Sequence, residues 1–325
     1  MTRRAALRAG CLSLPALVVG GAVVDRLAWR REAPNPSPVA GFPENGLWIH
    51  WRWHRAASSE SDLDGLTERV QRGGIRNVYL HVRSVRPDGS LRYPQTEHSS
   101  RVIAGLHRRA PEARVLAWIY AGNRRGRGAV DLSVNAVRAK MVADAVRLVQ
   151  SGGFDGVQWD YEICADGEPG FLRLLEETRN SLPRKAVLSV ATPLWLPAPF
   201  RRWGWSDAAF TQTAKRCDQI CVLAYDSGLW LPRAYERLVK EQVVHVSRAV
   251  AAGNPRCRLI LGLPTYEEGG LSHDPRSENL ATALRGVADG LADPRTERSV
   301  FAGAALFAEY TTDEAEWDEF LGKGG

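Results

Sequence analysis

Phe154-Asp155-Gly156-Val157-Gln158-Trp159-Asp160-Tyr161-Glu162 reads as an apolar strand that ends in acids. Side chains alternate faces along a strand, so Gln158, Asp160 and Glu162 project to one side. Three polar groups in a row are costly inside an ordinary core. One reading is an edge strand with a solvated polar face. The other is a strand covered on both sides whose polar face opens into a site. Phe154, Val157 and Trp159 argue for the second, and a strand buried on both faces belongs to a parallel sheet.

Outward from this stretch, similar runs recur. They are Gly46–His54, Ile75–Val85, Val115–Ala121, Phe154–Glu162, Ala186–Pro193, Gln219–Asp226, Arg258–Pro264 and Phe301–Tyr310. Helical segments lie between them. Val134, Val137, Met141, Ala145 and Leu148 recur at helical spacing, and Gly152-Gly153 stops that helix. Ser61–Gln71, Phe171–Leu182, Asp207–Arg216, Arg233–Ala252, Glu278–Leu291 and Thr312–Leu321 read the same way. Eight strands alternating with helices, at roughly 35-residue spacing, predict an α/β chain folded as one (β/α)8 TIM barrel over residues 46–325. A doubly wound sheet is the alternative, but no glycine cluster follows the first strand.

The chain is basic overall, with a formal charge of +6 and a pI of about 9.2. Residues 1–31 hold six arginines and one acid, which accounts for +5 of it. The remainder is near neutral, so no nucleic-acid partner is expected. Arg3 and Arg4 precede an apolar run from Cys11 to Val24. That run is shorter than the roughly 20 residues of a bilayer-spanning helix. The pattern resembles a twin-arginine export signal. An exported protein is expected, and attachment to a membrane through residues 1–31 stays open. Residues 32–45 read as a Pro-rich spacer outside the fold. Cys217 and Cys257 each precede a strand, and an exported protein permits a disulfide between them. No metal-ligand spacing and no cofactor fingerprint occurs, so neither a metal nor a cofactor is expected.

Catalytic groups of such barrels lie at the C-terminal ends of the strands. Those ends carry Trp53, Tyr120, Asp160, Glu162, Trp195, Tyr225, Asp226, Tyr266, Glu309 and Tyr310. Aromatic and carboxylate groups together suit carbohydrate, because sugars pair apolar C–H faces with a rim of hydroxyls. Trp48, Trp118 and Trp159 read as core. Trp53, Trp195, Trp203, Trp205 and Trp230, in or near the loops at those ends, each read equally well as core or as ligand contact.

The run from Asp155 to Glu162 resembles the fourth-strand motif DGxDxDxE of glycoside hydrolase family 18, the chitinase-like barrels. It departs at the second Asp, which is Gln158 here. Leu223-Ala224-Tyr225-Asp226 resembles that family's sixth-strand motif. The resemblance implies that Glu162 protonates the glycosidic oxygen. Asp160 would orient the substrate's own acetamido group, Tyr225 would hydrogen-bond it, and Asp226 would contact the sugar. Gln158, Trp53, Tyr120, Trp195, Tyr266, Glu309 and Tyr310 would line the polysaccharide site. The family's strand-eight Trp is replaced by Ala308-Glu309-Tyr310, with Tyr310 as the candidate stacking ring. Two alternatives remain: a non-catalytic glycan-binding barrel, and a two-carboxylate glycosidase that uses Glu309.

Overall fold

The structure, a computed structural model, describes Trp29 and residues 31–121, 130–161 and 165–323. Eight strands are present: β1 Gly46–Ile49, β2 Asn77–Ser84, β3 Arg114–Tyr120, β4 Gly156–Asp160, β5 Val187–Thr192, β6 Gln219–Leu223, β7 Arg258–Pro264 and β8 Phe301–Phe307. They form a closed barrel in chain order. β8 returns beside β1 in parallel, with Gly46 opposite Ala305. The expected (β/α)8 architecture is therefore the observed one.

The differences sit at strand ends. The first strand stops at Ile49, and Arg52–Arg55 form a helical turn that buries Trp53 and His54. Buried aromatic bulk in that run is equally compatible with a strand or a turn, and packing chose the turn. The eighth strand ends at Phe307, so Glu309 and Tyr310 lie beyond it. Helix Glu97–Arg109 adds to the segments read from sequence and buries Val102, Ile103 and Leu106.

Side chains of successive strand residues divide into two cores. Those pointing outward pack under the helices. Trp159 is one of them, and its indole N–H donates to Thr178 Oγ1 at 3.1 Å. Inward-pointing residues fill the barrel, among them Trp48, Tyr79, Leu116, Cys221, Ile260 and Ala305. Two glycines make room for the large rings. A Cβ on Gly262 would come within 3.0 Å of the Trp48 ring, and one on Gly46 within 2.8 Å of the Tyr79 ring.

Part of the Pro-rich stretch read as a spacer belongs to the fold. Val39 is fully buried. Asn45 Nδ2 donates to the Val39 carbonyl at 3.0 Å, and the Ala304 N–H donates to Asn45 Oδ1 at 2.9 Å. Phe42 meets Phe301 edge to face. The export signal read from residues 1–31 falls almost wholly outside the described residues. Among the described residues no helix is long and apolar enough to cross a membrane. The expected Cys217–Cys257 bridge is not formed: both are free thiols with their sulfurs 3.9 Å apart. Burial pushes the Cys217 thiol well up, which disfavours the thiolate that disulfide exchange requires.

Candidate active site

Gln158 faces the barrel interior and is completely buried. Its Oε1 accepts from the Trp48 indole N–H at 2.8 Å. Its Nε2 donates to Ser189 Oγ at 3.0 Å and lies 3.3 Å from Cys221 Sγ. Ser189 Oγ and Tyr79 OH both donate to Gln219 Oε1, at 2.8 and 2.7 Å. Gln158 is thus one member of a closed polar network across the barrel. A buried amide costs little when its donors and acceptors are matched. Every Gln158 contact named here is to a neutral group, which suits an amide better than a carboxylate.

Asp160, one alternation nearer the mouth, is the last residue of β4 and only 1% exposed. Its Oδ2 accepts from the Trp118 indole N–H at 2.6 Å. Trp118 lies on β3, and the His81 ring of β2 stacks on it with centroids 4.0 Å apart. Burial lowers the pKa of His81 to about 3, with the neighbouring Arg83 charge acting in the same direction. His81 is therefore a neutral, flat buttress for Trp118 at ordinary pH.

Phe307, at the end of β8, sits at the centre of an aromatic floor. It stacks on Tyr225 at 5.0 Å and meets the edges of Trp48, Trp118 and Tyr266 at 5.9, 6.0 and 6.0 Å. Tyr225 is nearly buried. Tyr266 OH donates to Asp226 Oδ1 at 2.9 Å, so these two form a polar rim beside that floor. Asp226 is exposed and has a left-handed backbone, φ 55°. Asp160, Trp118, Phe307, Tyr225, Tyr266 and Asp226 make one linked cluster at the barrel mouth. Glu162 lies outside the described residues.

The other candidates make different contacts. Glu309 is buried against the outer layer, where Oε1 meets Arg69 Nη1 at 3.1 Å and Arg52 Nη2 at 3.7 Å. Its Oε2 accepts from the Trp53 indole N–H at 3.4 Å. Trp53 itself is 2% exposed and packed in the core, so it offers no face to a ligand. Trp195 is also buried and stacks on His245 of helix Pro232–Gly253 at 3.7 Å. Tyr310 is exposed and meets the His50 ring edge-on. Tyr120, half-buried, ends β3 opposite Asp160. Of the remaining tryptophans, Trp205 is core, whereas Trp203 and Trp230 are about half exposed.

Two residues of the cluster escape a reading by sequence. Trp118 looks like core, and it is nearly buried, but its N–H does polar work. Phe307 is hidden because the strand reads on to Tyr310. One alternation past Ala305 is the signal that points to it. Among the described residues no group of three or more His, Cys, Asp or Glu is placed to hold a metal ion.

No family model and no curated protein matches this sequence. Solved structures do match it. A class V chitinase of Pseudomonas fluorescens Pf-5 superposes with a TM-score of 0.61 at 16% identity, over 86% of this chain and 99% of that one. The chain folds like the chitinase-like barrels. The spore cortex-lytic enzyme SleL of Bacillus cereus gives a TM-score of 0.60 at 11% identity, over 87% and 74% of the two chains. A chitinase of Chromobacterium violaceum gives 0.57 at 14%, over 87% and 99%. The likeness suggested by the fourth- and sixth-strand motifs thus extends to the whole barrel.

Proposed function

We propose that this chain is a glycosidase that cleaves N-acetylhexosamine-containing glycans with participation of the substrate's acetamido group. The observation that carries this reading is the buried Asp160 carboxylate, held by Trp118 beside an aromatic floor at the mouth of the barrel. The motif resemblance and the fold of the chitinases support it. Substrate-assisted glycosidases need one acid and one fixed carboxylate rather than two catalytic carboxylates in opposed roles. Glu162, one alternation beyond Asp160, donates its proton to the glycosidic oxygen as that bond breaks. The acetamido carbonyl oxygen attacks the anomeric carbon and closes a ring. Asp160 stabilises the positive charge that develops on the acetamido nitrogen. Water then opens the ring, and its proton returns to Glu162.

The test is Glu162→Gln assayed on a chromogenic N-acetylchitobioside. Turnover is expected to vanish while oligosaccharide binding persists. Hydrolysis at the wild-type rate in this variant would sink the proposal. The Gln158 network favours a second reading, a glycan-binding barrel without turnover, because the network is complete without an acid. Binding of chito-oligosaccharides by a wild-type protein that hydrolyses none of a glycan panel would select that reading.

A further inference from the structure

Arg83 lies one residue before the end of β2. Its φ of 72° is in the left-handed region, where non-glycine residues are uncommon. The pairing of β2 with β3 slips between His81 and Ser84. Such irregularities re-aim side chains and recur beside functional sites. The re-aimed guanidinium rests over the Trp51 ring, 5.1 Å from its centroid. Trp51 packs against His50 at 4.9 Å, and His50 meets Tyr310 at 4.9 Å. Tyr310 leaves about half of its surface open.

The neighbouring arginines are occupied. Arg52 and Arg69 face Glu309, and Arg55 lies 3.6 Å over Tyr93. Arg83 has no carboxylate partner among the described residues. It is also close to the chemistry. His81, two residues back along β2, stacks on Trp118, which holds Asp160. A guanidinium laid on an aromatic ring keeps its N–H edge free, and that edge matches a carboxylate in a bidentate fashion. The open Tyr310 ring, reached from Trp51 through His50, suits the C–H face of a sugar.

We propose that Arg83, backed by Trp51 at one end of a row that runs on through His50 to Tyr310, is a subsite for a carboxylate carried by the glycan next to the N-acetylhexosamine bound at Asp160. This rests on the glycosidase reading and narrows its substrate class from neutral N-acetylated polymers to acidic ones. The carboxylate can be a lactyl ether on an amino sugar or the acid of a uronic sugar. The subsite reads the charge that the two share.

The experiment compares four tetrasaccharides with the full-length protein. They are the N-acetylglucosamine tetramer, an alternating N-acetylglucosamine–N-acetylmuramic acid tetramer, the same tetramer with its lactyl carboxylates amidated, and an alternating N-acetylglucosamine–glucuronate tetramer. The wild-type kcat/KM is expected to favour the lactyl carboxylate form over its amide by about tenfold at low salt, the worth of one hydrogen bond to a charged group. The ratio should shrink as salt rises. Arg83→Gln is expected to bring the ratio near one, and Arg83→Lys to keep part of it. A matching gain on the glucuronate tetramer supports a general carboxylate subsite, and a gain on the lactyl form alone supports that source. A wild-type ratio near one, or an equal ratio in Arg83→Gln, would overturn the subsite while leaving the glycosidase standing. Failure to cleave or bind any of the four would overturn both.

Discussion

The indole N–H of Trp118 and the Oδ2 of Asp160 are 2.6 Å apart, joining β3 to β4 at the mouth of the barrel. The distance is short for an N–H···O hydrogen bond. In the resembled motif the orienting neighbour of Asp160 would be a carboxylate two residues earlier. Here that position is Gln158, whose amide is committed to Trp48, Ser189 and Cys221. Trp118 holds Asp160 from the adjacent strand instead.

Trp118→Phe keeps the ring that packs on His81 and removes only the N–H. Its kcat on a chromogenic N-acetylchitobioside is expected to fall by about tenfold to a hundredfold, the scale of losing one group that positions charge in the transition state. KM should change much less, because the ring survives. In the Trp118→Phe/Asp160→Asn double variant the two losses should not add, since both remove one coupled unit. A Trp118→Phe enzyme with unchanged kcat would show that the bond is structural only.

Glu309→Gln separates the one-site reading from the two-carboxylate alternative. The Glu309 carboxylate is enclosed by Arg69, Arg52 and Trp53. Both guanidinium partners are substantially exposed, so the lost pairing is discounted for solvent to about 1–2 kcal/mol of stability. The variant should unfold at lower denaturant yet retain turnover within about threefold. Loss of turnover in Glu309→Gln together with retention in Asp160→Asn would transfer the catalytic role to Glu309.

His81 makes stability depend on pH in a definite direction. Its pKa falls from the ordinary 6.5 to about 3 in the folded chain, mainly through burial. Between those values the unfolded chain binds the proton and the folded one does not, so stability drops as pH falls through this window. The slope from this one residue is at most about 1.4 kcal/mol per pH unit. His50 and His54 are lowered by burial as well and act with the same sign. Melting temperatures measured from pH 7.5 to 4 should fall less steeply in His81→Phe than in the wild type. Parallel curves for the two proteins would contradict this account.

The barrel was legible because its signal is repeated eight times. Each strand's apolar run is short and ambiguous alone, but the alternation with helices leaves few other topologies. Strand ends were less legible. Trp53 and His54 read as the end of a first strand, yet a helical turn buries them both. The eighth strand read on to Tyr310, yet it ends at Phe307, which packs on Tyr225. Hydrophobic pattern reports that a side chain is buried, not the direction from which it is covered.

What the amino-acid sequence determined by itself was the fold class, the place of Asp160 at the end of the fourth strand, and that of the Tyr225-Asp226 pair just past the sixth. These follow from period-two alternation and local motif, which need no distant residue. Tertiary structure decided which groups meet the polar side chains at and beyond the strand ends. Trp118 reaches Asp160 across 42 positions, Trp48 reaches Gln158 across 110, and Arg69 reaches Glu309 across 240. Such partners are chosen by strand register and by the space that small residues such as Gly262 leave for large rings. The closing of the barrel turned the Glu309 carboxylate toward Arg69, Arg52 and Trp53 and set Trp118 and Phe307 beside Asp160 and Tyr225.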